Sequence, residues 1–293
     1  IHMKLFPAIA FMVASSLCFA LGSILIKVLG NPIIGTNLNP LQIVQGRFFF
    51  AFIFLILVSF FIRFDYSFRN IKLNFLRSIF GWLGVTIWFT SILYIPISDA
   101  TAINFLNPIF AMFFASIILK EKVGSIRWIA ATISLFGGLL LIRPSSDLSL
   151  NPIAILCLLG AIIMGLEIIC IKLLSGRDTV FKILILSNFF AMVLSSLWLP
   201  FVFTMPSLIQ LSLMAFIGLL FVIGQFFFLN SMKRADASFV MPFFYITLVF
   251  VIIFDYLVFQ SFPDEISFIG AAVIITGALI ISYKEWKIKF SEK

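Results

Sequence analysis

The sequence predicts an all-α polytopic membrane protein: ten transmembrane helices arranged as two inverted five-helix repeats, with both termini in the cytoplasm. Three observations predict it. The first is composition: the 293-residue chain is 62% hydrophobic and 11% charged, with 39 Phe and a mean hydropathy of +1.20. A soluble domain carries about 25% charged residues, so this chain has too few to cover a surface facing water. A cytosolic enzyme, a nucleic-acid-binding domain and a secreted disulfide scaffold are thereby excluded. The second observation is where the basic residues fall, and the third is a weak internal repeat.

A membrane-spanning helix needs about 20 apolar residues. Such runs lie at about 5–27, 41–62, 73–94, 98–119, 126–142, 151–173, 180–203, 207–231, 238–260 and 266–283, with only short loops between them. With the N-terminus inside, span 1 follows Lys4, and spans 2 and 3 are joined through Arg63, Arg69 and Lys72, with Arg77 at the start of span 3. Lys120, Lys122 and Arg127 lie at the inner junction of spans 4 and 5, and Lys172, Arg177 and Lys182 at the inner junction of spans 6 and 7. Lys233 and Arg234 precede span 9; Lys284, Lys287, Lys289 and Lys293 follow span 10. The inner side thus collects 17 of the 20 Lys and Arg, while the outer side has Arg143 alone and Lys27 and Arg47 stay within spans. Positive charge in short loops marks the cytoplasmic face, so the net charge of +8 is a topology signal with the lipid bilayer as partner, and no nucleic acid is implied.

Cys18, Cys157 and Cys170 all fall within spans and are expected to remain unpaired thiols. The opening Ile1-His2-Met3 reads as a cloning remnant. One His and three apolar Cys supply no metal cluster, and no cofactor is expected. Span 1 is too long for a signal-peptide core and lacks a small-x-small cleavage site, so it counts as a span.

The repeat shows as three matches in the same order, five spans apart. Ile26-Lys27-Val28-Leu29 matches Ile171-Lys172-Leu173-Leu174 at an offset of 145, and Asp99-Ala100-Thr101 matches Asp236-Ala237-Ser238 at 137. Ala130-Ala131 and Gly137-Gly138 match Gly270-Ala271 and Gly277-Ala278 at 140. A unit with an odd number of crossings must enter the membrane upside down in its second copy, and inverted repeats of this kind are a hallmark of secondary transporters. The repeats are drawn at 5–143 (spans 1–5) and 151–283 (spans 6–10). Ala131, Ser134 and Gly138 form a small-residue stripe on span 5, and Gly270, Ala271, Gly277 and Ala278 do so on span 10, so these two helices are expected to brace the protein or make dimer contacts.

The stretch Asp236-Ala237-Ser238, Pro242-Phe243, Tyr245, Leu248-Val249, Tyr256-Leu257-Val258-Phe259, Phe262-Pro263-Asp264 and Ile269-Gly270-Ala271-Ala272 resembles the closing part of an EamA domain. Arg47-Phe48-Phe49, Ala100-Thr101-Ala102 with Pro108, and Leu119-Lys120-Glu121 do the same for the first half. EamA domains occur in pairs in the drug/metabolite transporter superfamily. The resemblance implies a multi-pass protein of the bacterial inner membrane that moves a small metabolite, in a group including S-adenosylmethionine and riboflavin transporters and amino-acid exporters. Asp255 stands where such sequences carry a small residue, and Ser261 where the first half has Glu121.

Ionisable groups within spans are costly and point to function. Glu167, Gln225 and Tyr245 each sit about 9–11 Å from the cytoplasmic end of their span at 1.5 Å per residue, with Trp82 slightly deeper. Arg47, Asn104, Trp88 and Asp255 form an outer layer, with Lys27 nearer the surface. No cation is expected at the depth of Glu167, which makes it the first candidate for substrate binding and for proton coupling. Arg47 and Asp255 share depth and have opposite sign, so a structural ion pair and a substrate role for Arg47 both stand. Lys27 either snorkels or lines the cavity. Asn104 and Asn107 precede Pro108, whose missing N–H frees a carbonyl, and Pro242 with Tyr245 repeats that arrangement. Trp82 and Trp88 lie deep, where rings near a carboxylate suit an amino-bearing ligand; Trp128, Trp198, Tyr283 and Trp286 lie at span ends as interface anchors.

The expected activity is secondary transport by alternating access between residues 1–143 and 151–283, with spans 1–4 and 6–9 around the substrate, by a monomer or homodimer, with proton coupling or exchange open. The favoured solute is an amino acid or another amino-bearing metabolite such as S-adenosylmethionine; riboflavin or another neutral metabolite is the alternative. A membrane-embedded enzyme is the rival class, but no Ser-His pair, metal cluster or paired Asp is available to one.

Overall fold

In lipid a backbone has only its own groups to bond, so long apolar runs close as helices. The computed structural model describes residues 2–30, 35, 38–61, 69–118, 120, 125–142, 151–234 and 243–291, and no strand occurs among them. The helices are α1 (His2–Leu29), α2 (Pro40–Ser59), α3 (Ile71–Tyr94), α4 (Ile97–Asn104), α5 (Asn107–Ile118) and α6 (Ser125–Ile142). They continue as α7 (Pro152–Ser175), α8 (Val180–Ser196), α9 (Leu199–Val202), α10 (Leu208–Arg234), α11 (Ile246–Phe259) and α12 (Glu265–Ser291). Phe6–Leu29, Pro40–Ser59, Ile71–Tyr94, Ile97–Ile118, Pro152–Leu174 and Leu208–Arg234 are long and apolar enough to cross a membrane. Val180–Ser196, Ile246–Phe259 and Glu265–Gly277 are shorter apolar helices. Pro242, the Asp236–Ser238 match and Arg143 lie outside the described residues, as do the side chains of His2, Ala131, Ser134, Gly138 and Trp286.

Helix starts follow from short polar residues ahead of proline. Asn39 accepts a hydrogen bond from the Leu41 N–H with Pro40 in the first turn, and Asn151 accepts from Ile153 and Ala154 ahead of Pro152. Span 4 is broken into α4 and α5 at Phe105–Leu106, one turn before Pro108 cuts the backbone ladder. The Tyr245 hydroxyl donates to the Phe105 carbonyl at 3.0 Å, so Tyr245 satisfies the break. Lys120 and Gln260 take the left-handed conformation beyond α5 and α11, at φ 54° and 53°. They are 140 residues apart, the offset that links Gly137 with Gly277.

α1 packs along α10 and α3 along α7; α2 packs on α8 and α6 on α12. α5 lies on α7 and α11 on α1, while α2 meets α10 and α3 meets α8. Exchanging spans 1–5 with spans 6–10 sends every one of these pairings to another in the set or to itself. Small residues allow the close approaches: a Cβ on Gly137 would lie 2.8 Å from the Gly270 carbonyl oxygen, and one on Gly218 would lie 2.9 Å from that of Arg47. Hydroxyls join α1 to α10, with Ser15 donating to the Gly224 carbonyl at 2.9 Å and Ser231 to that of Ala8 at 2.7 Å. The perimeter is apolar, with Phe61, Phe201 and Leu208 among its exposed side chains. Trp128 and Trp198 are exposed at helix ends, as expected of interface anchors, and Tyr283 is exposed about two turns before the end of α12.

Candidate functional site

A cavity of about 120 Å³ lies at the centre of the bundle, walled by α1–α5, α7, α8, α10 and α11. Among the described residues none of α6 or α12 lines it. On α3 the face carrying Arg77, Ser78, Gly81, Trp82, Val85 and Trp88 turns inward, a spacing that a helix of 3.6 residues per turn keeps on one side. Arg47 enters from α2, Asn104 from α4, Glu167 from α7, Asn188 from α8 and Gln225 from α10.

Six of the eight substrate candidates therefore share one site: Glu167, Gln225, Trp82, Trp88, Asn104 and Arg47. The two depth layers read from the spans are walls of a single cavity. Tyr245 and Lys27 are not among the lining residues. Tyr245 is buried against Phe105, where its hydroxyl serves the backbone break. Lys27 pairs with Asp255 at 2.6 Å and lies over the Phe259 ring.

Two expectations are corrected. Glu167 does have a cation at its depth: its Oε1 lies 3.2 Å from Arg77 Nη2. Its place near the start of span 3 groups Arg77 with the cytoplasmic charges, yet its side chain is 3% exposed and lines the cavity. The legible signal is its position eleven residues before Trp88, about three helical turns away on the same face. The pair expected between Arg47 and Asp255 is not made, because Asp255 is taken by Lys27 and Arg47 turns to the cavity. Depth along a span carries no information on which way a side chain faces. Thr101, Ser187, Asn188 and Thr247 also line the cavity and went unread; Asn188, an amide in mid-span, was the clearest missed signal.

The local packing explains the charge geometry. Gly81, one turn beyond Arg77, leaves room for the carboxylate: a Cβ there would lie 2.9 Å from Glu167 Oε1. Arg47 is 1% exposed, with its guanidinium carbon 4.1 Å from the Phe48 ring centroid and 4.5 Å from that of Phe221. Much of the polar lining has no hydrogen-bond partner among the described residues. Nε and Nη1 of both arginines, the indole nitrogens of Trp82 and Trp88, and the amide oxygens of Asn104, Asn188 and Gln225 are all buried and unpartnered. Buried polar groups are normally satisfied, so unpartnered ones on several residues that line one cavity make it the candidate ligand site.

A second polar cluster ties the start of α3 to the α7–α8 loop. Asn74 and Asn70 donate to the two Asp178 oxygens at 2.9 and 3.1 Å, and Lys182 Nζ lies 3.0 Å from Oδ1. Burial works against ionisation of Asp178; these hydrogen bonds and the Lys182 charge outweigh it and hold the carboxyl below its usual range.

A multi-pass helical bundle around a central cavity, walled mostly by apolar side chains with a few charged and amide residues among them, fits a membrane transporter. The comparisons with known proteins bear that out: the chain belongs to the EamA-like transporter family, whose profile matches residues 6–143 and again 151–283. It is therefore a transporter and not an enzyme. It is 27% identical to the S-adenosylmethionine uptake transporter of Rickettsia conorii, over 87% of this chain and 86% of that one. It is 28% identical to the riboflavin transporter of Rhizobium johnstonii, over 77% and 73%, and 26% identical to the pseudopaline exporter of Pseudomonas aeruginosa, over 73% and 76%. A solved crystal structure superposes with a TM-score of 0.64 over 98% of this chain and 97% of its own, at 16% identity, which speaks to the fold alone.

Proposed function

We propose that the protein is a secondary transporter of the bacterial inner membrane that moves an amino acid or an amino-bearing metabolite such as S-adenosylmethionine by alternating access. The observation that carries this reading is the central cavity with its unpartnered polar lining. The ten-span topology with both termini inside, and the two inverted halves, draw support from the self-mapping helix pairs and from the left-handed residues Lys120 and Gln260. The broken span 4 also supports a transport site, since discontinuous helices mark such sites.

In this topology two polar latches flank the cavity. Lys27–Asp255 ties α1 to α11 at their outer ends, and Asn70, Asn74 and Lys182 hold Asp178 at the cytoplasmic end. Alternating access requires one latch to part while the other holds. Glu167 remains the candidate for proton coupling, and taking up a proton would release Arg77. Uptake into proteoliposomes that is indifferent to a pH gradient removes that role.

The test is thermal stability of the purified protein against amino acids, S-adenosylmethionine and riboflavin, followed by uptake of whichever compound stabilises it. A ligand at 100 times its dissociation constant adds about 2.7 kcal/mol to the folded state. Stabilisation by an amino-bearing compound is the expected result; stabilisation by riboflavin alone selects the neutral-metabolite reading, which the aromatic lining from Trp82, Trp88 and Phe221 would also accommodate.

A further inference from the structure

The charges around the cavity do not balance. Among the described residues lining it, Arg47 and Arg77 face a single carboxylate, Glu167, and that carboxylate is bonded to Arg77. Arg47 is among the largest fully buried side chains of the protein, clamped between the Phe48 and Phe221 rings, with Nε and Nη1 unpartnered. Glu167 lies near both guanidiniums but makes its ion-pair contact with Arg77, so one buried positive charge is left over that the anionic group of a ligand would balance. The planar fork of guanidinium N–H groups matches the two oxygens of a carboxylate.

The rest of the lining limits the ligand further. The amide oxygens of Asn104, Asn188 and Gln225 are buried acceptors without donors. Asn188 cannot present its nitrogen instead, because Nδ2 already donates to the Leu184 carbonyl at 2.9 Å. These acceptors favour an ammonium group and repel further anionic oxygen, which disfavours a phosphate.

We propose that Arg47 binds the carboxylate of the transported solute, that a free carboxylate is obligatory for binding, and that the amide oxygens receive its ammonium group. The substrate class is thus an α-amino acid, free or as the amino-acid end of a larger metabolite. The inference rests on reading this cavity as the transport site.

The experiment titrates the full-length protein with matched pairs: S-adenosylmethionine against its decarboxylated form, and free amino acids against their methyl esters. Binding is read by quenching of the Trp82 and Trp88 fluorescence and by thermal shift. Losing one partner of a buried, hydrogen-bonded charge pair is expected to weaken binding at least ~30-fold for the member without a carboxylate. In Arg47→Gln the two members of a pair should bind alike, and Arg47→Lys should recover part of the preference. The matched pairs on the unaltered protein decide the matter even where a variant fails to fold. Equal binding of both members overturns the carboxylate anchor and leaves the transport cavity standing. Binding of riboflavin alone, or of no compound, overturns the anchor together with the amino-bearing substrate class.

Discussion

Glu167 shows how a single residue changes meaning once its neighbours are known. As an isolated intramembrane carboxylate it pointed to substrate; paired with Arg77 across Gly81 it is one half of a charge device. A double-mutant cycle with Glu167→Gln and Arg77→Gln, followed by detergent unfolding, should return a coupling of about 1–3 kcal/mol. A coupling near zero would mean that the two side chains do not interact in the folded protein. Asp178 offers a pH test outside the spans. Its carboxyl is held below its usual range, so the folded state gains stability that is complete above the unfolded value of about 3.9 and fades as pH falls toward the lower folded value. The stability of the parent protein should therefore fall below about pH 4 in a way that Asp178→Asn flattens. Identical acid profiles would remove the latch from the stability argument.

Helices in this protein are positioned by what they lack. Lipid gives packed helices no hydrophobic drive, so close contact depends on small residues and hydroxyls. Gly137 faces the backbone of α12, where the Gly270 carbonyl oxygen cannot yield as a flexible side chain would. Gly137→Val should cost about 1–3 kcal/mol through overpacking. Gly176, just beyond α7, has open space where a Cβ would be added and an ordinary φ of −90°. Gly176→Ala should be neutral or stabilise by up to ~1 kcal/mol by restricting the unfolded chain. Comparing the two in thermal unfolding separates packing from backbone entropy; equal effects would contradict the close α6–α12 contact. Gly218 works similarly at the Arg47 backbone, so the seat of Arg47 depends on a missing methyl group on α10.

At the scale of the whole molecule, the two latches on either side of the cavity make the prediction. Asp255→Asn should weaken the tie between α1 and α11 and shift the population toward the conformer open at that end. Reagent accessibility of cysteines introduced beside Lys27 should rise, and the exchanged pair Lys27→Asp with Asp255→Lys should restore the closed state in part. Unchanged accessibility in Asp255→Asn would make the pair a static brace.

Sequence reasoning reached the helical membrane class from quantities summed along the chain, and the family from motifs that stand in the sequence itself. Hydropathy over about 20 residues and charge at span ends survive any rotation of an individual helix. The polar candidates were recognised by type for the same reason, since Glu167, Arg47, Asn104, Trp82, Trp88 and Gln225 are each costly in lipid wherever they face. Pairing is different, because it depends on helix rotation and on which helices are neighbours. Lys27 rather than Arg47 meets Asp255, Arg77 rather than substrate meets Glu167, and Tyr245 serves a backbone break instead of a ligand. Those choices turn on contacts between residues up to 228 positions apart in the chain, such as Lys27 and Asp255, and only the packed bundle brings them within reach.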